Sequence, residues 1–182
     1  QEVAKTRQAL DIKLEERVLM EQLTRSFART RNLDETLKLA VDTIAELLSA
    51  QSVVFFLSTP DGLLPKAWKS RSEERLRSLP CSEPIVEECW KSGRVVLSQP
   101  HHIHRERLLE GEQFAVALPL GKFGVLYVGR GLDKRYTRKQ MLLLALVTDQ
   151  TIPPILAGLR QAELAAALES QVVVNKKLDK AL

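Results

Sequence analysis

Residues 113–155 read Gln-Phe-Ala-Val-Ala-Leu-Pro-Leu, Gly-Lys-Phe-Gly, Val-Leu-Tyr-Val-Gly, a polar loop and then a long apolar helix; their reading decides the fold. Residues 114–120 are an apolar run of strand length, and residues 125–128 a second run of β-branched and aromatic side chains. The four residues 121–124 between them carry glycine at both ends, so the pair reads as a tight antiparallel hairpin. Neither run alternates with polar residues, which places cover on both faces of the hairpin. Thr137 with Gln140 three residues on is a capping-box start for the helix that follows.

Working outward, residues 2–31 form one charged amphipathic helical pattern. Val3, Leu10 and Leu14 fit a heptad seam, but Arg17 and Glu21 fall next in it, and the apolar stripe moves to Leu19, Leu23 and Phe27. A continuous coiled coil does not change phase in this way. The first half is therefore read as a pairing segment and the second as packed on the domain. Asn32, with Glu35 three residues later, caps a second helix whose Leu33, Leu37, Ala40, Val41, Ile44 and Leu48 share one face.

Residues 53–57 and 63–68 are strands joined by Thr59-Pro60-Asp61-Gly62, a turn in which proline presets φ and glycine accepts positive φ. Residues 69–80 are a basic polar loop or short exposed helix. A short helix over 85–91 opens on Pro84 and stops at Gly93, residues 95–97 are a strand, and 99–112 are a polar connection. Residues 141–147 are apolar nearly all round, so that helix is buried. Pro153-Pro154 then removes the donors for the carbonyls of Asp149 and Gln150, which predicts a kink or break there. Beyond it Leu164, Leu168, Gln171, Asn175, Leu178 and Leu182 step by 4, 3, 4, 3 and 4, a heptad seam with two polar members.

Composition narrows the function. At 45% apolar the 182-residue chain supports a sizeable core, which excludes wholesale disorder. A net charge of +4, with basic and acidic residues interspersed, gives no reason to expect nucleic acid. Two cysteines, Cys81 and Cys89, make no disulfide framework and suit a reducing, cytoplasmic setting. No run reads as a membrane span and no signal peptide is visible, so no direct membrane contact is expected. The helical ends read as those of a piece of a longer protein.

Residues 114–120, 123–128 and 136–155, together with Asn32-Leu33-Asp34-Glu35 and the segment 83–96, resemble the GAF domain family. The likeness is carried by a small-apolar-Pro-Leu … Gly-Val-Leu hairpin followed by a helix, and it spans about Asn32 to Ile155. It implies an α/β (α+β) fold: a central antiparallel sheet of five or six strands, N- and C-terminal helices on one face, and loops and short helices on the other. Three parts follow: a signalling helix over 1–31, the GAF-like domain over 32–156, and a coiled-coil linker over 157–182. The alternative for the last part is a helix packed on its own domain.

The chemistry-bearing residues are few. His101, His102 and His104 in one polar loop invite a metal, but no Cys or carboxylate stands at a ligand spacing, so none is assigned. Cys81 and Cys89 do not reproduce the arrangement of GAF-fold methionine sulfoxide reductases. Neither cysteine is followed by the His of covalent bilin attachment, and residues 129–136 lack the Asn-Lys signature of cyclic-nucleotide binders. No catalytic residue or cofactor is assigned. Strand alternation sends Phe55 and Phe56 to opposite faces, with core the favoured reading for both, while Trp68 suits a pocket wall. The resemblance then implies a small-molecule site drawn from Phe56, Trp68, Cys81, Ser82, His102, His104 and Arg105.

The expectation is a sensory and dimerisation module of a signal-transduction protein, such as a sensor histidine kinase or cyclase regulator. A homodimer through Leu10, Leu14, Leu164, Leu168, Gln171, Asn175, Leu178 and Leu182 would relay small-molecule binding or packing changes. A ligand-free dimerisation spacer is the alternative, and a redox enzyme on the same scaffold a third.

Overall fold

A computed structural model describes residues 2–70, 84–98, 112–131 and 136–182. The elements run α1 (Glu2–Ala28), α2 (Leu33–Leu48), β1 (Ser52–Thr59), β2 (Gly62–Ser70), α3 (Pro84–Ser92), β3 (Val96–Ser98), β4 (Glu112–Pro119), β5 (Gly124–Gly131) and α4 (Arg138–Ala181). The five strands form one antiparallel sheet in the order β2-β1-β5-β4-β3. This is the expected α+β layering.

The hairpin of residues 112–131 supplies β4 and β5, two of the three inner strands, and both faces of each are covered. Phe55, Val116, Leu118, Leu126 and Val128 face a core shared with Leu37, Ile44, Leu144, Val147 and Ile155 of the helices. Phe56, Ala115, Ala117, Val125 and Tyr127 face a second core under Ile85, Val86 and Cys89 of α3. Period-two alternation thus splits Phe55 from Phe56 as expected. Gly121 takes φ 59 in the turn. Gly124 serves a different need: a Cβ there would lie 1.8 Å from the carbonyl oxygen of Phe56, so only glycine lets β5 approach β1. Pro65 sits in edge strand β2 at the register shift opposite Phe55 and Phe56, where a missing donor is tolerated.

Both helix starts are capped as the sequence predicts. Asn32 Oδ1 accepts from the Glu35 amide at 2.9 Å while Glu35 Oε2 accepts from the Arg31 amide at 2.9 Å. Thr137 Oγ1 accepts from the Gln140 amide and Gln140 Oε1 accepts from the Thr137 amide, a closed capping box.

Of the kink or break predicted at Pro153-Pro154, the break does not occur: α4 is one helix from Arg138 to Ala181 with both prolines inside it. Tertiary packing on either side overrides the local preference. Val147, Thr151 and Ile155 are buried around the prolines. Leu33 approaches Gly158 so closely that a Cβ there would lie 2.9 Å from the leucine Cβ.

Helix directions follow from the contacts. Glu15 Oε2 lies 3.2 Å from Lys139 Nζ at the start of α4, and Phe27 lines a cleft with Pro154, Ala157 and Gly158 further along it, so α1 and α4 run parallel. Leu48 packs near Leu143 and Leu144 while Leu33 meets Gly158, so α2 runs antiparallel to α4. The N-terminal part of α1 and the C-terminal part of α4 therefore leave the domain by opposite poles.

Candidate functional site

Two regions qualify: the sheet face under α3, and the helices leaving the domain. On the first, strand alternation brings Phe56 and Trp68 to the same side, since Val54 pairs with Trp68 and both belong to the α3-side layer. Phe56 is 2% exposed and filled around by Val54, Ile85, Val86 and Tyr127, so it plugs this layer. Trp68 is half-buried and borders an open groove of about 670 Å³ between α2 and edge strand β2. In that groove Lys69 Nζ lies 3.5 Å from Asp42 Oδ1, and the two charges offset each other. Cys81, Ser82, His102, His104 and Arg105, with His101 and Arg107, lie outside the described residues.

One feature of this layer escaped the sequence reading, and one, the buried Cys89, did not. Ser98 is 2% exposed and, like Val96, points to the α3 side of the sheet. Its hydroxyl is the one buried side-chain polar atom among the described residues with no hydrogen-bond partner. Cys89 is buried beneath α3, and burial, with the nearby Glu88 carboxylate adding to it, pushes its thiol up to about 11. It is a protonated, inert core side chain at neutral pH. Among the described residues no group of three or more His, Cys, Asp and Glu is placed to hold a metal.

The second region is larger. Leu14 and Leu23 are nine residues apart, so at about 100° per residue they stand on opposite sides of α1. Leu23 and Phe27 are buried, whereas Val3, Leu10, Leu14 and Val18 are exposed on the other side. This is the phase change that the sequence shows. Arg17 and Glu21, which interrupt the seam, pair with each other in solvent at 3.7 Å. Every residue of α4 from Arg160 onward is exposed, including Leu164 at 64%, Leu168 at 62% and Leu178 at 56%. Gln171, Asn175 and Leu182 are exposed with them. Such a helix has no tertiary packing on the other described residues, and most helical stability in proteins comes from packing of an apolar face.

An 18-residue window of α4 has the length and mean hydropathy, 1.5, of a membrane span. Its Leu144, Val147 and Ile155 are built into the domain core, and a third of the window is buried in this way.

The single five-stranded antiparallel sheet with helices on both faces is consistent with a known family, and the family model for GAF domains matches residues 30–151. The chain belongs to the GAF domain family. Among solved structures, the GAF domain of an Acinetobacter phosphoenolpyruvate-protein phosphotransferase is similar at a TM-score of 0.66 and 16% identity, covering 80% of this chain and 93% of that one. The GAF domain of a candidate sensor histidine kinase from Pseudomonas syringae pv. tomato is similar at 0.60 and 14%, covering 92% and 99%. A free methionine-R-sulfoxide reductase from Neisseria meningitidis, in complex with its substrate, is similar at 0.65 and 17%, covering 81% and 91%. At these identities the likeness is one of fold, and the GAF scaffold includes both signalling modules and an enzyme. No significant relative is found among curated proteins.

Proposed function

We propose that this GAF domain is a sensory and dimerisation module that carries packing changes along its terminal helices and makes no bonds itself. The observation that carries this reading is the exposed apolar seam of α4, continuous with the domain's own core helix. A state change at the sheet shifts the buried part of α4, and the same continuous helix takes that shift out of the domain. Pro153 and Pro154 leave two carbonyls without their helical donors, so the helix is softest there. Paired helices have discrete packings, so a small displacement biases a two-state output.

The partner is a second copy, through Leu10 and Leu14 at one pole and Leu164, Leu168, Gln171, Asn175, Leu178 and Leu182 at the other. The protonated, buried Cys89 offers no nucleophile, which supports a non-enzymatic role. Two observations bear on whether a ligand is involved. Phe56 fills the α3-side layer, which favours a ligand-free spacer. Ser98 leaves a buried hydroxyl unpartnered on that same face, at a cost of about 1–3 kcal/mol that a ligand would relieve. The second favours a small-molecule sensor.

Light scattering on the full chain and on a chain ending at Leu159 tests the dimer. The full chain is expected to be dimeric and the shortened one to dissociate at least tenfold more readily. Equal masses at every concentration would refute the C-terminal seam.

A further inference from the structure

Two residues on either side of the α1–α2 turn rest on α4 just beyond its prolines. Phe27, in the last turn of α1, is buried and lines a cleft with Pro154, Ala157 and Gly158. Leu33, the first residue of α2, meets Gly158 so closely that an added Cβ would lie 2.9 Å from the leucine Cβ and 3.2 Å from its Cα. Both atoms are fixed by the backbone, so a change of rotamer cannot relieve the contact.

The turn between Phe27 and Leu33 is tied into one unit. Thr30 Oγ1 lies 2.6 Å from the carbonyl oxygen of Phe27 and 2.8 Å from Thr36 Oγ1, which lies 3.0 Å from the carbonyl oxygen of Asn32. Two hydroxyl protons thus serve three short contacts, and Thr36 is buried there. The bonds of Asn32 and Glu35 close the same turn from outside. Phe27 and Leu33 therefore move together.

What they rest on is less firmly held. Pro153 and Pro154 leave the carbonyls of Asp149 and Gln150 without helical donors, so α4 bends most easily at that turn. The cleft beside Gly158, about 150 Å³, leaves α4 room on that side. From Arg160 onward α4 is exposed, so nothing among the described residues steadies its direction beyond this seat.

We propose that the α1–α2 turn is a joint that couples the two terminal helices directly. A displacement of α1 passes through Phe27 and Leu33 to α4 at residues 154–158 and swings its exposed half about Pro153-Pro154, without passing through the sheet. The inference rests on the relay reading above and gives it a second entry, from the N-terminal helix. Its size follows from geometry. A side chain at 158 must part from Leu33 by about 0.6–1 Å to reach an ordinary carbon–carbon separation of ~3.5–4 Å. Gly158 stands about 7.5 Å past Pro153 along the helix, and Lys177 about 36 Å past it. The tilt, about 5–8°, therefore moves Lys177 by about 3–5 Å.

The test uses full-length chains carrying Cys81→Ser, diluted with unlabelled chain so that only spin pairs within one chain are seen. Distances to Lys177→Cys are measured from Asp61→Cys on the β1–β2 turn and from Lys91→Cys on α3, all three exposed positions, so that a tilt is triangulated. Gly158→Ala is expected to move residue 177 by about 3–5 Å against the domain. Adding Leu33→Gly should return it. Phe27→Ala, which alters only the α1 side of the joint, should move it too, whereas Leu19→Ala, which loosens α1 on the core away from the joint, should not. An unmoved residue 177 in folded Gly158→Ala, a shift that Leu33→Gly fails to reverse, or equal movement in Leu19→Ala would each overturn the joint. With the exchange protection of residues 160–182 intact, such a result would leave the relay reading standing. A broad, featureless distance distribution in the chain without these substitutions would show that α4 does not leave the domain as one helix, and would overturn both. Should Gly158→Ala fail to fold by circular dichroism, Phe27→Ala against Leu19→Ala decides the joint in the same way.

Discussion

Arg130, at the end of β5, donates from Nε to the main-chain carbonyl of Leu48, the last residue of α2, at 2.9 Å. Its Nη2 donates to the same carbonyl and its Nη1 to Gln140 Oε1 at 3.2 Å, while the guanidinium lies 5.1 Å from the centre of the Tyr136 ring. One buried side chain therefore caps the C-terminus of α2, touches the capping box of α4 and holds both to the sheet. A forked donor set is what this position needs, and a cation also suits the negative end of a helix.

Replacing Arg130 by methionine is expected to lower stability by about 2–4 kcal/mol, since a buried carbonyl and the Gln140 link both lose a charged donor. Arg130→Lys should recover less than half, because an ammonium cannot fork across the same acceptors. Urea denaturation measures both. Full recovery by lysine would show that charge alone is needed.

Two glycines separate backbone conformation from space. Gly62 has φ 110, but a Cβ there would meet nothing within 4 Å, so Gly62→Ala should cost about 1–2 kcal/mol from strain alone. Gly124→Ala meets the Phe56 carbonyl and should cost more than about 3 kcal/mol or prevent folding. Thermal melts that rank the two equally would contradict the close approach of β1 and β5.

Cys89 gives a signed pH dependence. Its folded-state pKa, about 11 against 9.0 for the free thiol, is raised by burial first and by Glu88 second. The stability it contributes is fully present below about pH 9 and is lost as pH rises from 9 towards 11, because the unfolded thiol ionises first. Alkylation of Cys89 should be negligible at pH 8 until the protein is unfolded, as mass spectrometry would show. Rapid native labelling at that pH would refute its burial.

Pro153 is exposed in an unbroken helix, so Pro153→Ala restores a donor for the Asp149 carbonyl. The expected gain is about 1–3 kcal/mol, read as a higher unfolding midpoint. An unchanged or lower midpoint would show that the surrounding structure already compensates for the missing bond.

What the sequence made legible was local or periodic. Asn32 with Glu35, Thr137 with Gln140 and Gly93 mark helix ends through contacts within a few residues, and the helices begin or end beside them. The two stripes of α1 were readable because 3.6-residue periodicity is a property of one segment. What escaped needed partners far along the chain. Arg130 is like any other basic residue until its acceptor, 82 residues away, is brought beside it. Ser98 is ordinary in a three-residue strand until burial removes its water. The prolines show the same limit: their local cost is plain in the sequence, and the packing around Leu33 that keeps the helix continuous is not. The ligand residues at 81–82 and 102–105 rested on the family resemblance, while the opposite faces taken by Phe55 and Phe56 followed from strand alternation.

Hydrogen–deuterium exchange over residues 160–182, followed against protein concentration, tests the central claim most directly. These residues have no packing partner among the described residues, so their protection is expected to come from a second copy. The expected result is slow exchange from Leu164 to Leu178 that appears as the dimer forms and fades on dilution. Rapid exchange at every concentration, with the domain core still protected, would contradict the claim that this helix pairs.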